Sequence, residues 1–144
     1  VAQCDLAIAA EGTKFVTSGV TWGFFCSTPG VAVGRNLQRK HAMEMLLTGE
    51  MISAEEAYRM GLVNRVAEPG AARQEAVKLA RKIAAKSAAA VKFGKEAFYR
   101  QLEMSVGDAY RYAAEVMVEN MLVNDAKEGI SAFIEKRPPE WEDR

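Results

Sequence analysis

"LLTGEMISAEEAYRMGLVNRV", residues 46–66, holds a helix end, a capped short helix and the start of a strand. Gly49 follows the amphipathic run "RKHAMEMLLT", the place where a helix C-terminus takes a left-handed residue, so a helix is predicted to stop there. Ser53 can accept from the next turn while Glu56, three residues on, reaches back to the Ser53 amide. That reciprocal capping box predicts a new helix start. Gly61 ends this helix about two turns later. "LVNRVAE" alternates enough for a short strand, which Pro69-Gly70 breaks.

Upstream, "VAQCDLAIAA" (1–10) reads as one buried strand, "EGTK" as a turn and "KFVTSG" as a short extended piece. "STPG" has turn chemistry: Pro29 fixes one dihedral and Gly30 permits unusual ones, leading into a helix over roughly 30–37. The sequence starts at Val1, without methionine and inside an apolar run. A buried strand normally follows a turn, so the chain is expected to be a fragment of a longer fold. Downstream, everything is helical. Ala72, Ala76, Leu79, Ala80 and Ile83 recur at three- and four-residue spacing, and Val91, Ala97 and Phe98 mark the next apolar face. Ser105 with Asp108 opens a long helix to about Asn124. Asp125 with Glu128 opens the last one, which Pro138 and Pro139 are expected to stop. The predicted fold class is therefore α/β, with a strand-containing part over 1–69 and a helical region over 70–144.

The 144 residues suffice for one domain with a real core, and the 49% hydrophobic and 26% charged fractions are those of a soluble globular protein. Nineteen basic residues balance nineteen acidic ones, which gives no ground for a nucleic-acid or membrane-surface partner. Two cysteines make no disulfide framework and one histidine no Cys/His zinc cluster, so no metal site and a reducing compartment are expected. No apolar run approaches the ~18–20 residues of a membrane span.

"KFVTSGVTWGFFCSTPGVAVGR", Lys14 to Arg35, has the make-up of a binding-site wall, yet it contains no carboxylate and no histidine. Trp22, Phe24 and Phe25 either line a ligand or fill a core. The glycines of "TPGVAVG" either place amides at a helix N-terminus, where an anion or polarised carbonyl is favoured, or make a tight turn. Cys26 and Ser27 are nucleophile candidates only beside a base. His41, between basic neighbours on an amphipathic helix, and Asp5, after a cysteine at a strand edge, are read as structural.

Taken in order, "CDLAIAAEGTKF", the Trp-Gly and "STPG" pieces, "RKHAMEMLLTGEMISAEEAYRMGLVNRVAE" and "EGISAFIEKRPPEW" closely resemble the C-terminal half of the crotonase (enoyl-CoA hydratase/isomerase) family, over essentially all of the chain. "FFCSTPGVA" with "GKEAFYRQL" is most similar to one branch, which has mitochondrial members in animals and bacterial relatives. The resemblance implies the C-terminal part of a crotonase-like spiral of ββα units, followed by a helical oligomerisation region that drives trimers or hexamers. It implies an acyl-CoA thioester as substrate or ligand, with no other cofactor, and a bacterial cytoplasmic or mitochondrial-matrix setting. The two amides that stabilise the thioester enolate in this family match segments upstream of Val1, so this chain alone is expected to be inactive. The family's proton-transferring glutamate falls at Gly19, which makes ordinary hydration doubtful; loss of such a group typically costs ~10²–10⁴-fold in rate. Ser27 stands near where some isomerase-like relatives place a carboxylate and is the weak remaining catalytic candidate. Trp22, Phe24, Phe25, Cys26, Ser27 and Gly30 are then the acyl-pocket residues. Phe133 and Lys136 match positions that approach the CoA adenine and phosphates, with a core aromatic and a dipole-favoured helix-end lysine as the alternative. A non-catalytic acyl-CoA-binding or assembly protein with the same fold is the rival reading that Gly19 favours.

Overall fold

The structure is a computed structural model that describes residues 1–142. These fall into two compact units, Val1–Leu79 and a second that begins at Ala80. The first contains β1 (Ile8–Ala10), β2 (Lys14–Phe15), a 3-10 turn over Ser18–Trp22, α1 (Ser27–Asn36), α2 (Arg39–Thr48), β3 (Ile52–Ser53), α3 (Ala54–Met60) and β4 (Arg65–Ala67). α4 (Ala72–Ala84) leads out of it, and α5 (Ala88–Gln101), α6 (Val106–Leu122) and α7 (Asn124–Glu135) follow. The α/β class is as the sequence leads one to expect, and the order of elements differs by two additions, the 3-10 turn and the short β3 before α3.

β1 pairs in parallel with β4, Ile8 opposite Arg65, and β2 pairs antiparallel with β3, Lys14 opposite Ser53. Parallel strands need a crossover between them, which the helices from α1 to α3 supply. Ala9, Val33, Met45, Leu46, Ala54 and Ala57 meet in the core of this unit. Ala54 and Ala57, one turn apart on α3, have no exposed surface, because their small side chains let the helix lie close on its neighbours. The capping box forms as expected. The Ser53 hydroxyl accepts from the Glu56 amide at 3.1 Å and the Glu56 carboxylate from the Ser53 amide at 2.8 Å. That Ser53 amide bond is the main reason the Glu56 carboxyl lies below its ordinary range. Gly49 and Gly61 both close their helices in the left-handed region.

Several expectations need correction. Within the 1–10 run only Ile8–Ala10 is strand, and the residues before it form turns and bends that leave Asp5 outside the strand. The extended piece after Lys14 stops at Phe15 and coils into the 3-10 turn. α1 starts at Ser27 rather than near residue 30. Pro29 is no barrier there, since its missing N–H falls among the first helical amides, which have no intrahelical acceptor. α7 has no capping box: its N-cap is Val123 without a side-chain bond. It also ends at Glu135, before the proline pair, because Lys136 turns left-handed.

In the second unit α5, α6 and α7 pack on one another. No residue of α4, α5 or α6 is buried, and large apolar side chains stand in the open, including Val106 (75%), Tyr110 (76%), Leu122 (71%) and Phe133 (84%). Among the described residues no helix is long and apolar enough to cross a membrane.

Candidate functional site

The Lys14–Arg35 stretch, read as a site wall, runs from β2 through the 3-10 turn into α1, and the loop over residues 16–26 is clamped by two side chains, those of Thr17 and Cys26. Thr17 is buried and its hydroxyl donates to the Met45 carbonyl at 2.7 Å, tying the loop to the end of α2. Gly49, the left-handed cap of α2, lies directly under the 3-10 turn. A β-carbon there would come within 2.8 Å of Thr21 Oγ1 and 3.0 Å of Val20. Neither contact leaves a local signal, because both join residues 28 apart or more in the chain.

The loop then closes on Gly19. Its N–H donates to Cys26 Sγ at 3.1 Å, and its carbonyl accepts from the Phe24 amide at 3.1 Å. Gly19 is buried, and a β-carbon on it would sit 2.7 Å from Cys26 Sγ, 2.7 Å from the Phe24 carbonyl oxygen and 3.1 Å from the Cys26 amide. Two of those three atoms are backbone, so no rotamer change makes room. Position 19 is thus closed to every side chain. Closure also shapes the wall. The tight return from Gly19 through the left-handed Gly23 to Cys26 pushes Trp22, Phe24 and Phe25 outward, at 74%, 62% and 45% exposure. The aromatic residues are therefore surface, not core, in this unit.

Cys26 is half-buried and occupies the N-cap of α1 without a side-chain cap bond. Ser27 is exposed; its amide bonds the Phe25 carbonyl at 2.8 Å and its hydroxyl donates weakly to the same oxygen at 3.4 Å. Gly30 is the fourth residue of α1 and needs no glycine: a β-carbon would meet Leu46 at 3.6 Å and the Phe25 ring at 3.9 Å, ordinary contacts. The expected turn role of Gly30 is replaced by a helical one. Trp22, Phe24, Phe25, Cys26, Ser27 and Gly30 thus belong to one continuous surface segment around the start of α1. His41 is half-buried in α2. Among the described residues no group of three His, Cys, Asp or Glu side chains is placed to hold a metal ion.

Phe133 and Lys136 lie in the other unit. Phe133 is 84% exposed near the end of α7, and Lys136 is the left-handed residue that follows the helix. Nearby, Arg137 grips Glu128 with both terminal nitrogens, at 2.6 and 2.8 Å, and bonds Glu135 through Nε at 2.6 Å. Arg137 is the chief cause of a Glu128 carboxyl lowered to about 2, with the Glu140 amide contributing. This cluster was missed in the sequence, where Glu128 has the spacing of a helix cap and nothing marks its partner nine residues on.

Comparison with known proteins agrees with the geometry. The sequence profile of the enoyl-CoA hydratase/isomerase family matches residues 1–144. The rat mitochondrial protein called enoyl-CoA hydratase domain-containing protein 3 is 49% identical over 98% of this chain and 47% of its own length. An enoyl-CoA hydratase crystal structure from Mycobacterium smegmatis superposes with a TM-score of 0.93 at 52% identity, covering 97% of this chain and 55% of that one. The human domain-containing protein 3 structure gives 0.90 at 47% identity, over 97% and 55%. The chain thus spans about half the length of the relatives it matches. The fold, the full-length profile match and the shared motifs lead to one conclusion: the chain belongs to the enoyl-CoA hydratase/isomerase (crotonase) family, on the branch of enoyl-CoA hydratase domain-containing protein 3.

Proposed function

We propose that this chain forms the acyl-facing wall and a CoA-facing helix of a crotonase-type protein of acyl-CoA or fatty-acid metabolism, and that its ligand is an acyl-CoA thioester with no other cofactor. The observation that carries this reading is the exposed aromatic surface of Trp22, Phe24 and Phe25, held outward on a clamped loop. Aromatic surface of this kind favours an apolar acyl chain when it leaves water. The family's two thioester-holding amides match none of these residues. The role proposed for these residues is therefore to bind and shape the acyl group, not to hold the thioester oxygen.

The closed backbone around Gly19 favours a second reading, a non-catalytic acyl-CoA-binding or assembly protein. No carboxylate can stand at position 19 to move a proton at the carbon next to the carbonyl, and Ser27 offers only a hydroxyl. Assembly as a homotrimer or hexamer fits the uncovered apolar side chains of α6 and α7, such as Tyr110, Leu122 and Ile134. A mitochondrial-matrix or bacterial cytoplasmic setting fits relatives named mitochondrial and the bacterial ones.

Calorimetric titration with crotonyl-CoA and longer enoyl-CoAs tests the proposal, with hydration followed in parallel. Saturable binding that weakens in Trp22→Ala supports the wall, and absence of binding overturns it. Turnover that disappears in Ser27→Ala would replace the non-catalytic reading with an unusual enzyme.

A further inference from the structure

Among the described residues Lys136 is the one non-glycine residue with positive φ, at 56°; the other five are Gly12, Gly23, Gly49, Gly61 and Gly70. Its surroundings show how uncommon the choice is. The Lys136 amide bonds the Phe133 carbonyl at 3.3 Å and the Arg137 amide bonds the Ala132 carbonyl at 3.0 Å. That is the same pair of bonds that closes α3, where Gly61 bonds Tyr58 and Leu62 bonds Ala57. Glycine is the ordinary occupant of this capping position because a β-carbon crowds the backbone there. A side chain kept where glycine is better points to a use for that side chain.

The neighbouring residues hold this geometry from both sides. Arg137 takes Glu128 with a bidentate fork and Glu135 with Nε, and the Glu140 amide donates to the same Glu128 carboxylate at 2.8 Å. Beyond it the Trp141 indole donates to the Ala85 carbonyl at 3.0 Å and its ring lies where a β-carbon on Gly129 would meet it at 3.3 Å. The Glu142 amide donates to Asp125 at 2.7 Å. Residues 137–142 are thus folded back and fastened, and Glu135, the acidic neighbour of Lys136, is engaged by Arg137. A bidentate guanidinium fixes direction as well as charge, which a lysine in its place cannot do.

We propose that Arg137 is a positioning residue: through Glu128 and Glu135 it holds Lys136 in the left-handed conformation and so presents the Lys136 ammonium, near the exposed Phe133, to the phosphates of a coenzyme A ligand. The proposal rests on the acyl-CoA reading above. It assigns the clasp a role in binding, where a purely structural ion pair would affect only the fastening of the C-terminal residues.

Calorimetric titration of the chain with free coenzyme A tests it, with circular dichroism confirming that each variant is folded. Lys136→Ala is expected to weaken binding ~10-fold, the order of one lost charged hydrogen bond. Arg137→Gln and Glu128→Gln each weaken it to a similar degree, Arg137→Lys less, and neither Arg137→Gln nor Glu128→Gln has a further effect in a Lys136→Ala background. Lys136→Gly is expected to raise the thermal midpoint while weakening coenzyme A, a split that a structural role alone does not produce. Losses from Arg137→Gln that persist undiminished in Lys136→Ala, or no loss from Arg137→Gln at all, overturn the positioning role. Failure of the unaltered chain to bind coenzyme A overturns the acyl-CoA reading as well, so the two failures are distinguishable.

Discussion

The amide of Gly19 donates to the thiol of Cys26 at 3.1 Å, and this bond closes the turn in which Gly19 is buried. A missing side chain can be put back by mutation when its backbone leaves room. Here the Phe24 carbonyl and the Cys26 thiol already occupy the position of the β-carbon, at 2.7 Å each. The absence of a side chain at position 19 is therefore a property of the loop's path.

Gly19→Ala is expected to destabilise the chain by ~1–3 kcal/mol, the usual range for overpacking a tight site. Cys26→Ala removes one of the two closest atoms but leaves the Phe24 carbonyl, so the double variant recovers only part of the loss. Urea unfolding midpoints measure both. An unchanged midpoint in Gly19→Ala would show the turn to be open.

Thr17→Val replaces the buried hydroxyl that donates to Met45 by a methyl of similar size. The expected cost is ~0.5–1.5 kcal/mol, with Thr17→Ser largely preserving stability. The lower end is expected, because the Met45 carbonyl also accepts from the Gly49 amide at 3.3 Å and is not left without a partner. If the valine variant unfolds at the wild-type midpoint, the clamp on the loop has no energetic weight.

Much of this was legible in the sequence wherever a rule acts over one or two turns. Ser53, Glu56, Gly49 and Gly61 sit where local spacing puts them, because capping depends only on residues three to five apart. Asp125 and Glu128 repeat the same spacing and do not cap. The Glu128 carboxylate goes to Arg137 and the Glu140 amide, and Asp125 accepts from the Glu142 amide. Partners that far along the chain leave no periodic trace. Trp22 shows the converse limit. Residue type points to a core, but its place beside the left-handed Gly23 in a closed turn sends it outward. The resemblance marks Gly19 as a departure, while its enclosure by Phe24 and Cys26 depends on the path of the turn and leaves no local pattern.

Ser53→Ala should remove about 1 kcal/mol through loss of the α3 cap, as for other serine caps. Ser53→Asp keeps an acceptor for the Glu56 amide and is expected to retain most of it. Thermal unfolding of the pair checks the assignment, and equal midpoints for wild type and the alanine variant contradict it.

The clasp at Glu128 carries a definite pH signature. Its carboxyl is lowered from 4.5 to about 2, chiefly by Arg137. A lowered carboxyl stabilises the folded state above its unfolded value, and that contribution is lost as pH falls through the folded one. The fastening of residues 137–142 is therefore expected to hold at pH 5 and loosen over roughly pH 4.5 down to 2. Fluorescence and hydrogen exchange at the Trp141 indole follow it, and in Glu128→Gln the change over this window should shrink. A transition centred near pH 6 would implicate another group.

Trp22→Ala is expected to leave the unfolding midpoint within ~0.5 kcal/mol of wild type, since the ring is 74% exposed, while weakening acyl-CoA binding. A large stability loss with unchanged binding would make the ring structural.

Deuterium exchange at the carbon next to the thioester of butyryl-CoA, followed by NMR in heavy water, tests directly whether this wall carries an acid–base group. The expected result is saturable line broadening of the acyl resonances as the chain is added, with no deuterium uptake beyond the protein-free rate. Protein-dependent uptake would reveal a base at this wall after all, and unbroadened lines would mean that it holds no acyl-CoA.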